Sequence, residues 1–222
     1  MSAAYGQFCP VAKASEVFAT RWTPLIVREL LSGGRSFNDI LRGVPLISRA
    51  VLVSRLRELE QQGIVERCQS AGRDGKAYRL TAAGEDFRSL IDALDRWGRR
   101  HSIGRIEPSE LDPALLMTGL GRRASACALP VGRRLLRFEF SGVPATRTKF
   151  RIMWMILNPS GVDVCAKDPG FEVDLILRGP IEKWVALYLG HDNGANAKDL
   201  LEMDGDPELA RHVVHWLKSS EP

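Results

Sequence analysis

Apolar side chains in the first hundred residues recur at helical spacing. Phe37, Ile40, Leu41 and Val44 fall at i, i+3, i+4 and i+7, the stripe of a two-turn amphipathic helix with one face to bury. Before it, Trp22, Leu25, Ile26 and Leu30 repeat the pattern until Gly33-Gly34 stops it. A third stripe, Leu52, Leu56 and Leu59, follows the break at Gly43-Val44-Pro45, with Ser48 placed as N-cap and Gly63 as C-terminal stop. A short turn with a proline that cannot continue a helix forces the two helices to cross steeply, which predicts a helix-turn-helix.

The period then changes. Ile64–Arg67 and Ala77–Leu80 read as two short strands around the polar stretch Ser70–Lys76, so a hairpin wing follows the second helix of the pair. Thr81 then caps a long helix with the stripe Phe87, Leu90, Ile91, Leu94 and Trp97. After Glu107-Pro108 a short helix carries Leu115, Leu116, Met117 and Leu120. Beyond it, residues 134–140, 150–157, 162–166 and 172–177 read as strands separated by Gly- and Pro-containing turns. Short sequential turns predict an antiparallel meander. Helices over 181–189 and 207–218 complete an α+β half, a sheet covered by helices.

Charge divides at the same place. Residues 1–105 carry 17 Lys and Arg against 11 Asp and Glu, a net +6, while residues 106–222 carry 14 against 16, a net −2. The overall +4 conceals a basic half joined to a slightly acidic one, which points to a nucleic-acid reader linked to something else. The 222 residues are read as two domains, 1–105 and 106–222. No apolar run approaches a membrane span and no signal peptide is legible, so the expectation is a cytoplasmic protein with no membrane partner. Four scattered cysteines without a CxxC argue against a disulfide framework or a zinc ribbon.

The face of the second helix opposite its leucines is Ser48, Arg49, Ala50, Val53, Ser54 and Arg57. Small residues let a helix sit deep in a major groove, while arginines reach guanine edges or phosphates. At the hairpin tip, Arg73 and Lys76 are placed to touch phosphate or the minor groove. An ordinary surface helix with solvated arginines is the plain alternative. Catalytic motifs are absent: no GxSxG, Walker A loop, HExxH or dinucleotide fingerprint, so neither an enzyme nor a cofactor is expected. His212 and His215 lack an apparent third metal ligand, and Asp204, Asp206 and Glu208 fit a helix start better than a calcium loop.

Several of these segments together resemble the HxlR-type winged helix-turn-helix of bacterial transcription regulators, over roughly residues 8–102. They are Cys9-Pro10-Val11, Arg21-Trp22-Thr23 leading into Leu25–Leu30, Ile47-Ser48 with Leu52–Gly63, Tyr78–Gly84 and Trp97-Gly98. The resemblance implies a homodimer, built from the N-terminal segment and the helix around Phe87–Trp97, that sets two recognition helices on a pseudo-palindromic double-stranded DNA operator. The expected function is transcriptional regulation, as a repressor. Some members of the family sense oxidants or electrophiles through an N-terminal cysteine, which would be Cys9. A lone cysteine is otherwise a packed small hydrophobe.

The second half is similar to the sterol-carrier-protein type-2 (SCP2-like) fold over about residues 110–220. The match rests on Val173-Asp174-Leu175, a Gly-Pro turn, Trp184, Leu189-Gly190, Gly205-Asp206-Pro207 and Trp216-Leu217. Members usually show a glycine before the last strand, where this chain has Lys198-Asp199. The resemblance implies an apolar tunnel for a lipophilic small-molecule effector, lined by Phe138, Phe140, Met153, Met155, Leu175, Leu177, Trp184, Leu187, Tyr188 and Leu200. A closed packed core is the plain alternative, and a lipid carrier with an incidental first domain is the rival function.

Overall fold

A computed structural model of the chain describes residues 4–69, 76–102, 106–125, 127, 132–191 and 201–218. The chain divides into two compact units, Met1–Ile103 and Gly104–Pro222.

The first unit runs α1 (Pro10–Phe18), α2 (Thr23–Leu31), α3 (Phe37–Gly43), α4 (Arg49–Gln61), β1 (Val65–Gln69), β2 (Lys76–Leu80), α5 (Ala82–Glu85) and α6 (Arg88–Trp97). Each boundary has a local cause. Ser36 and Asp39 form a reciprocal capping box at the start of α3, with Asp39 N donating to Ser36 Oγ at 3.1 Å and Ser36 N to Asp39 Oδ2 at 3.0 Å. Ser48 caps α4 by accepting from Val51 N. At the other end Gly63 takes φ +70°, and Ile64 N reaches back to Leu59 O, a Schellman closure that fits glycine.

The apolar stripes of α2, α3 and α4 meet in one core of Ile26, Val27, Ile40, Leu52, Leu56 and Leu59, all 1% exposed or less. β1 and β2 pair antiparallel from Val65↔Leu80 to Gln69↔Lys76. Arg35 O accepts from Tyr78 N at 2.7 Å, so the segment before α3 adds a third short edge to the wing.

The long helix expected after Thr81 is two helices. Thr81 caps α5, but Phe87 N bonds Gly84 O, three residues back, and the chain restarts as α6 at Arg88. Gly84 presses on the Ile64 carbonyl and on Leu80, which fixes α5 against the hairpin, while Phe87 stacks on Phe18 at 4.8 Å. α6 continues into a π-helical turn, Gly98–Ser102.

The second unit contains α7 (Pro113–Ser125), β3 (Arg134–Ser141), β4 (Ile152–Asn158), β5 (Gly161–Cys165), β6 (Leu175–Pro180), α8 (Ile181–Leu189), β7 (Glu202–Gly205) and α9 (Pro207–Lys218). The sheet order is β5-β4-β3-β6-β7, and it is mixed rather than antiparallel because β3 and β6 run parallel. The connection around Asp168-Pro169-Gly170 reads as a tight turn in sequence. It is part of a crossover over residues 166–174 that carries the chain from β5 to the far side of β3. Three strand spacings are roughly 14 Å, well within reach of that segment.

Asp174 sets where β6 begins, three residues later than the alternation predicts. Its Oδ2 accepts from Leu135 N at 2.7 Å, its own N donates to Leu135 O, and its carbonyl accepts from Asp206 N. β7 is too short and polar (EMDG) to show a strand pattern, and it enters the sheet by pairing with β6. Leu136, Phe138, Phe140, Met153, Met155, Leu157, Leu175 and Leu177 share one core with residues of α7, α8 and α9, so the three helices bury the same face.

Candidate nucleic-acid interface

Helix α4 buries Leu52, Leu56 and Leu59 and turns Ser48, Arg49, Ala50, Ser54 and Arg57 to the exterior, with Val53 half-buried. The six side chains therefore lie on one stripe, as their spacing requires. Their electrostatic states differ. The Arg49 guanidinium lies 5.7 Å from the Phe37 ring centroid, which holds it at the start of the helix. Ser54 donates to Glu58 Oε1 at 3.0 Å, and Arg55 on the flank is paired with Glu58. Arg57 is exposed and forms no ion pair among the described residues.

The wing arginines are neutralised. Arg67 Nε sits 2.6 Å from Glu60 Oε1, and Arg79 Nε 2.6 Å from Glu66 Oε1. The hydrogen bond to Glu60 raises the Arg67 pKa further above its ordinary range. Arg73 and the side chain of Lys76, the expected wing-tip contacts, lie outside the described residues. Arg35 is exposed without an ion pair among the described residues and was not legible from periodicity, because it lies on a non-helical segment paired with β2.

Asp39 holds the start of α3, where the chain turns in from α2. Burial opposes its charge, but hydrogen bonds from Ser36 and Arg42 outweigh that and keep the carboxyl below its ordinary pKa. Arg28 closes the other side, donating to Glu29 Oε1 at 2.7 Å and to Gly43 O at 2.8 Å.

Cys9 is the N-cap residue of α1, half-buried, with Pro10 in the first turn. Burial pushes the Cys165 thiol pKa up, and Asp163 and Asp168 add to that. Among the described residues no three His, Cys, Asp or Glu side chains converge on a metal position. No helix among them is long and apolar enough to cross a membrane.

In the second unit the expected tunnel lining is core. Phe138, Met155, Leu177 and Trp184 are fully buried, and Trp184 packs 5.5 Å from Phe138 and 5.9 Å from Phe140. Leu175, Phe140, Leu187 and Met153 are 1–4% exposed, Tyr188 is half-buried, and Leu200 lies outside the described residues. Phe140 borders an open cleft of about 650 Å³ edged by Glu139, Arg151, Arg178 and Glu202.

A helix pair joined by a capped turn, followed by a hairpin and carrying an exposed cationic stripe on its second helix, defines a winged helix-turn-helix. The HxlR-like helix-turn-helix family matches residues 17–104. The uncharacterised HTH-type transcriptional regulator Rv3095 of Mycobacterium tuberculosis is 34% identical over 131 residues, 52% of this chain and 80% of that protein. The HTH-type transcriptional regulator YodB of Bacillus subtilis is 34% identical over 91 residues, 40% of this chain and 81% of YodB. Among solved structures, the reduced form of YodB from B. subtilis aligns at 31% identity and a TM-score of 0.37, covering 43% of this chain and 95% of YodB.

The chain belongs to the HxlR-like helix-turn-helix family and is an HTH-type transcriptional regulator. DNA binding follows from that class.

Proposed function

We propose that the protein is a homodimeric repressor that sets two α4 helices on a pseudo-palindromic operator and couples operator affinity to its second unit. The observation that carries this reading is the exposed stripe of α4, where Arg49 and Arg57 stand without ion pairs among the described residues, beside the small residues Ala50 and Ser54. The apolar face of α6 supports self-association: Leu90, Leu94 and Trp97 are 45%, 49% and 59% exposed, as are Phe8 and Val11 at 98% and 73%. Monomers seldom leave such a stripe uncovered.

The second unit is an SCP2-like effector module in this proposal, supported by three helices on one face of its five-stranded sheet. Its candidate lining is packed, so an apolar effector must open the space it occupies. Such a ligand changes operator affinity only by preferring one state of the dimer. Thiol sensing through Cys9 is the second reading, supported by the half-buried position of that thiol at the start of α1.

The test is titration of DNA from upstream of the protein's own gene at several salt concentrations. Log affinity is expected to fall linearly with log salt at a preferred site. Weak binding to every sequence alike would favour the lipid-carrier rival.

A further inference from the structure

Two residues other than glycine hold a positive φ among the described residues, Trp22 at +77° and Leu46 at +73°. Side chains with a Cβ are strained there, and such strain persists only where something outweighs it. Trp22 has its compensation inside the chain: it packs against the first core, with the Arg21 guanidinium 4.9 Å from its ring centroid. Leu46 does not. It is 80% exposed, so no packing among the described residues offsets its backbone conformation, and glycine would adopt that conformation at no steric cost.

The position of Leu46 narrows what the side chain is for. It stands in the turn between α3 and α4, directly before buried Ile47, and the three residues after that, Ser48, Arg49 and Ala50, are all exposed. A large apolar side chain thus prolongs the cationic stripe of α4 beyond its N-terminus. Apart from Leu46, the most exposed apolar residues of this unit, Phe8, Val11, Leu94 and Trp97 among them, lie on α6 and in or near the N-terminal segment.

We infer that Leu46 is a DNA-contacting residue whose strain in the free protein is offset by an apolar contact in the complex. The inference rests on the reading of α4 as the recognition helix. Duplex DNA offers two apolar surfaces to such a side chain, the 5-methyl group of thymine and the edge of a deoxyribose.

The test uses the full chain, with Leu46→Gly and Leu46→Asn compared with wild type. Both variants tolerate the left-handed backbone, so the melting temperature is expected to rise by about 2–4 °C. Operator affinity is expected to fall about tenfold, with the salt slope unchanged because no charge is removed. Replacing operator thymines by deoxyuridine then separates the two surfaces. A wild-type loss at one position that Leu46→Gly no longer shows assigns the thymine methyl; no such position assigns the deoxyribose.

Unchanged affinity in both variants, with Arg57→Ala still weakening binding, would overturn the inference alone. If Arg57→Ala also left affinity unchanged, the reading of α4 would fall and the inference with it. A loss of affinity that tracks dissociation of the DNA-free dimer would instead make Leu46 a contact between copies.

Discussion

Gly43 lies directly on the carboxylate of Glu29, so that a Cβ added at Gly43 would overlap Glu29 Oε2. Glu29 is 4% exposed, and the Arg28 guanidinium joins its carboxylate to the Gly43 carbonyl. This buried charge fixes how α3 leaves α2, and through the turn how α4 is presented. Gly43→Ala must displace the carboxylate from its partner. The expected cost is roughly 2–3 kcal/mol in urea unfolding, with operator binding lost at temperatures where wild type still binds.

The ion pairs on the first unit sort its arginines into two kinds. Arg49 and Arg57 are exposed with no ion pair among the described residues, whereas Arg67 and Arg79 are held by Glu60 and Glu66. Arg57→Ala and Arg49→Ala are each expected to cost about 1–3 kcal/mol of operator affinity and to relax specificity if they read base edges. Arg67→Ala should change affinity little. Fluorescence anisotropy against operator and scrambled duplexes gives both numbers, and an Arg67→Ala loss equal to that of Arg57→Ala would contradict the division.

The capping box makes the start of α3 sensitive to acid. Asp39 has a lowered pKa in the folded protein, so its contribution is present above the ordinary carboxylate range, near 4, and is lost as pH falls through the depressed folded value. The stability difference between wild type and Asp39→Asn should therefore be flat from pH 7 to 5 and shrink below about pH 4. Thermal melts of both proteins across that range measure it; a constant difference down to pH 2.5 would show that the charge contributes nothing.

Much of this was legible in the sequence because local signals agreed with tertiary ones. The leucines of α4 are spaced by the helix period, and Ser48 and Gly63 mark its ends chemically. What escaped was decided by contacts distant in sequence. The helix stops at Glu85 and the chain restarts as α6 at Arg88 although the apolar stripe runs on without a break, with Gly84 packed so close to the Ile64 carbonyl that a Cβ would not fit. The parallel pairing of β3 with β6 depends on Asp174 reaching Leu135, a contact no alternation pattern encodes. Arg35 and Leu46 carry no periodicity at all, since each sits on a connecting segment.

The proposed self-association through α6 can be separated from folding. Leu94 and Trp97 are about half exposed, so Leu94→Asp or Trp97→Asp removes little packing within the chain. The melting temperature at dilute protein should then change by no more than a surface substitution allows, about 0.5 kcal/mol in stability. Light scattering should report a monomer, and binding to a two-half-site operator should weaken far more than binding to a single half-site. A variant that remains dimeric would place the interface elsewhere.

Arg123 is 1% exposed, and its guanidinium donates to Trp216 O at 3.2 Å, Leu217 O at 3.1 Å and Tyr188 O at 3.0 Å while lying 3.7 Å from the Tyr188 ring centroid. These carbonyls belong to the last turns of α8 and α9, where the helix dipoles are negative and carbonyls lack intrahelical donors. One cation on α7 thus closes two helix ends. Replacing it by methionine keeps the volume but strands two buried acceptors and one part-buried one, at an expected cost of roughly 3 kcal/mol in the unfolding of the second unit. Lysine keeps the charge, yet its single ammonium lacks the planar fork that spans the three carbonyls, so Arg123→Lys should fall between the two. Hydrogen exchange locates the effect: amides of α8 and α9 should exchange faster while those of α2 and α4 keep their protection. Equal loosening of both units would mean that Arg123 acts on the whole chain rather than on these two helix ends.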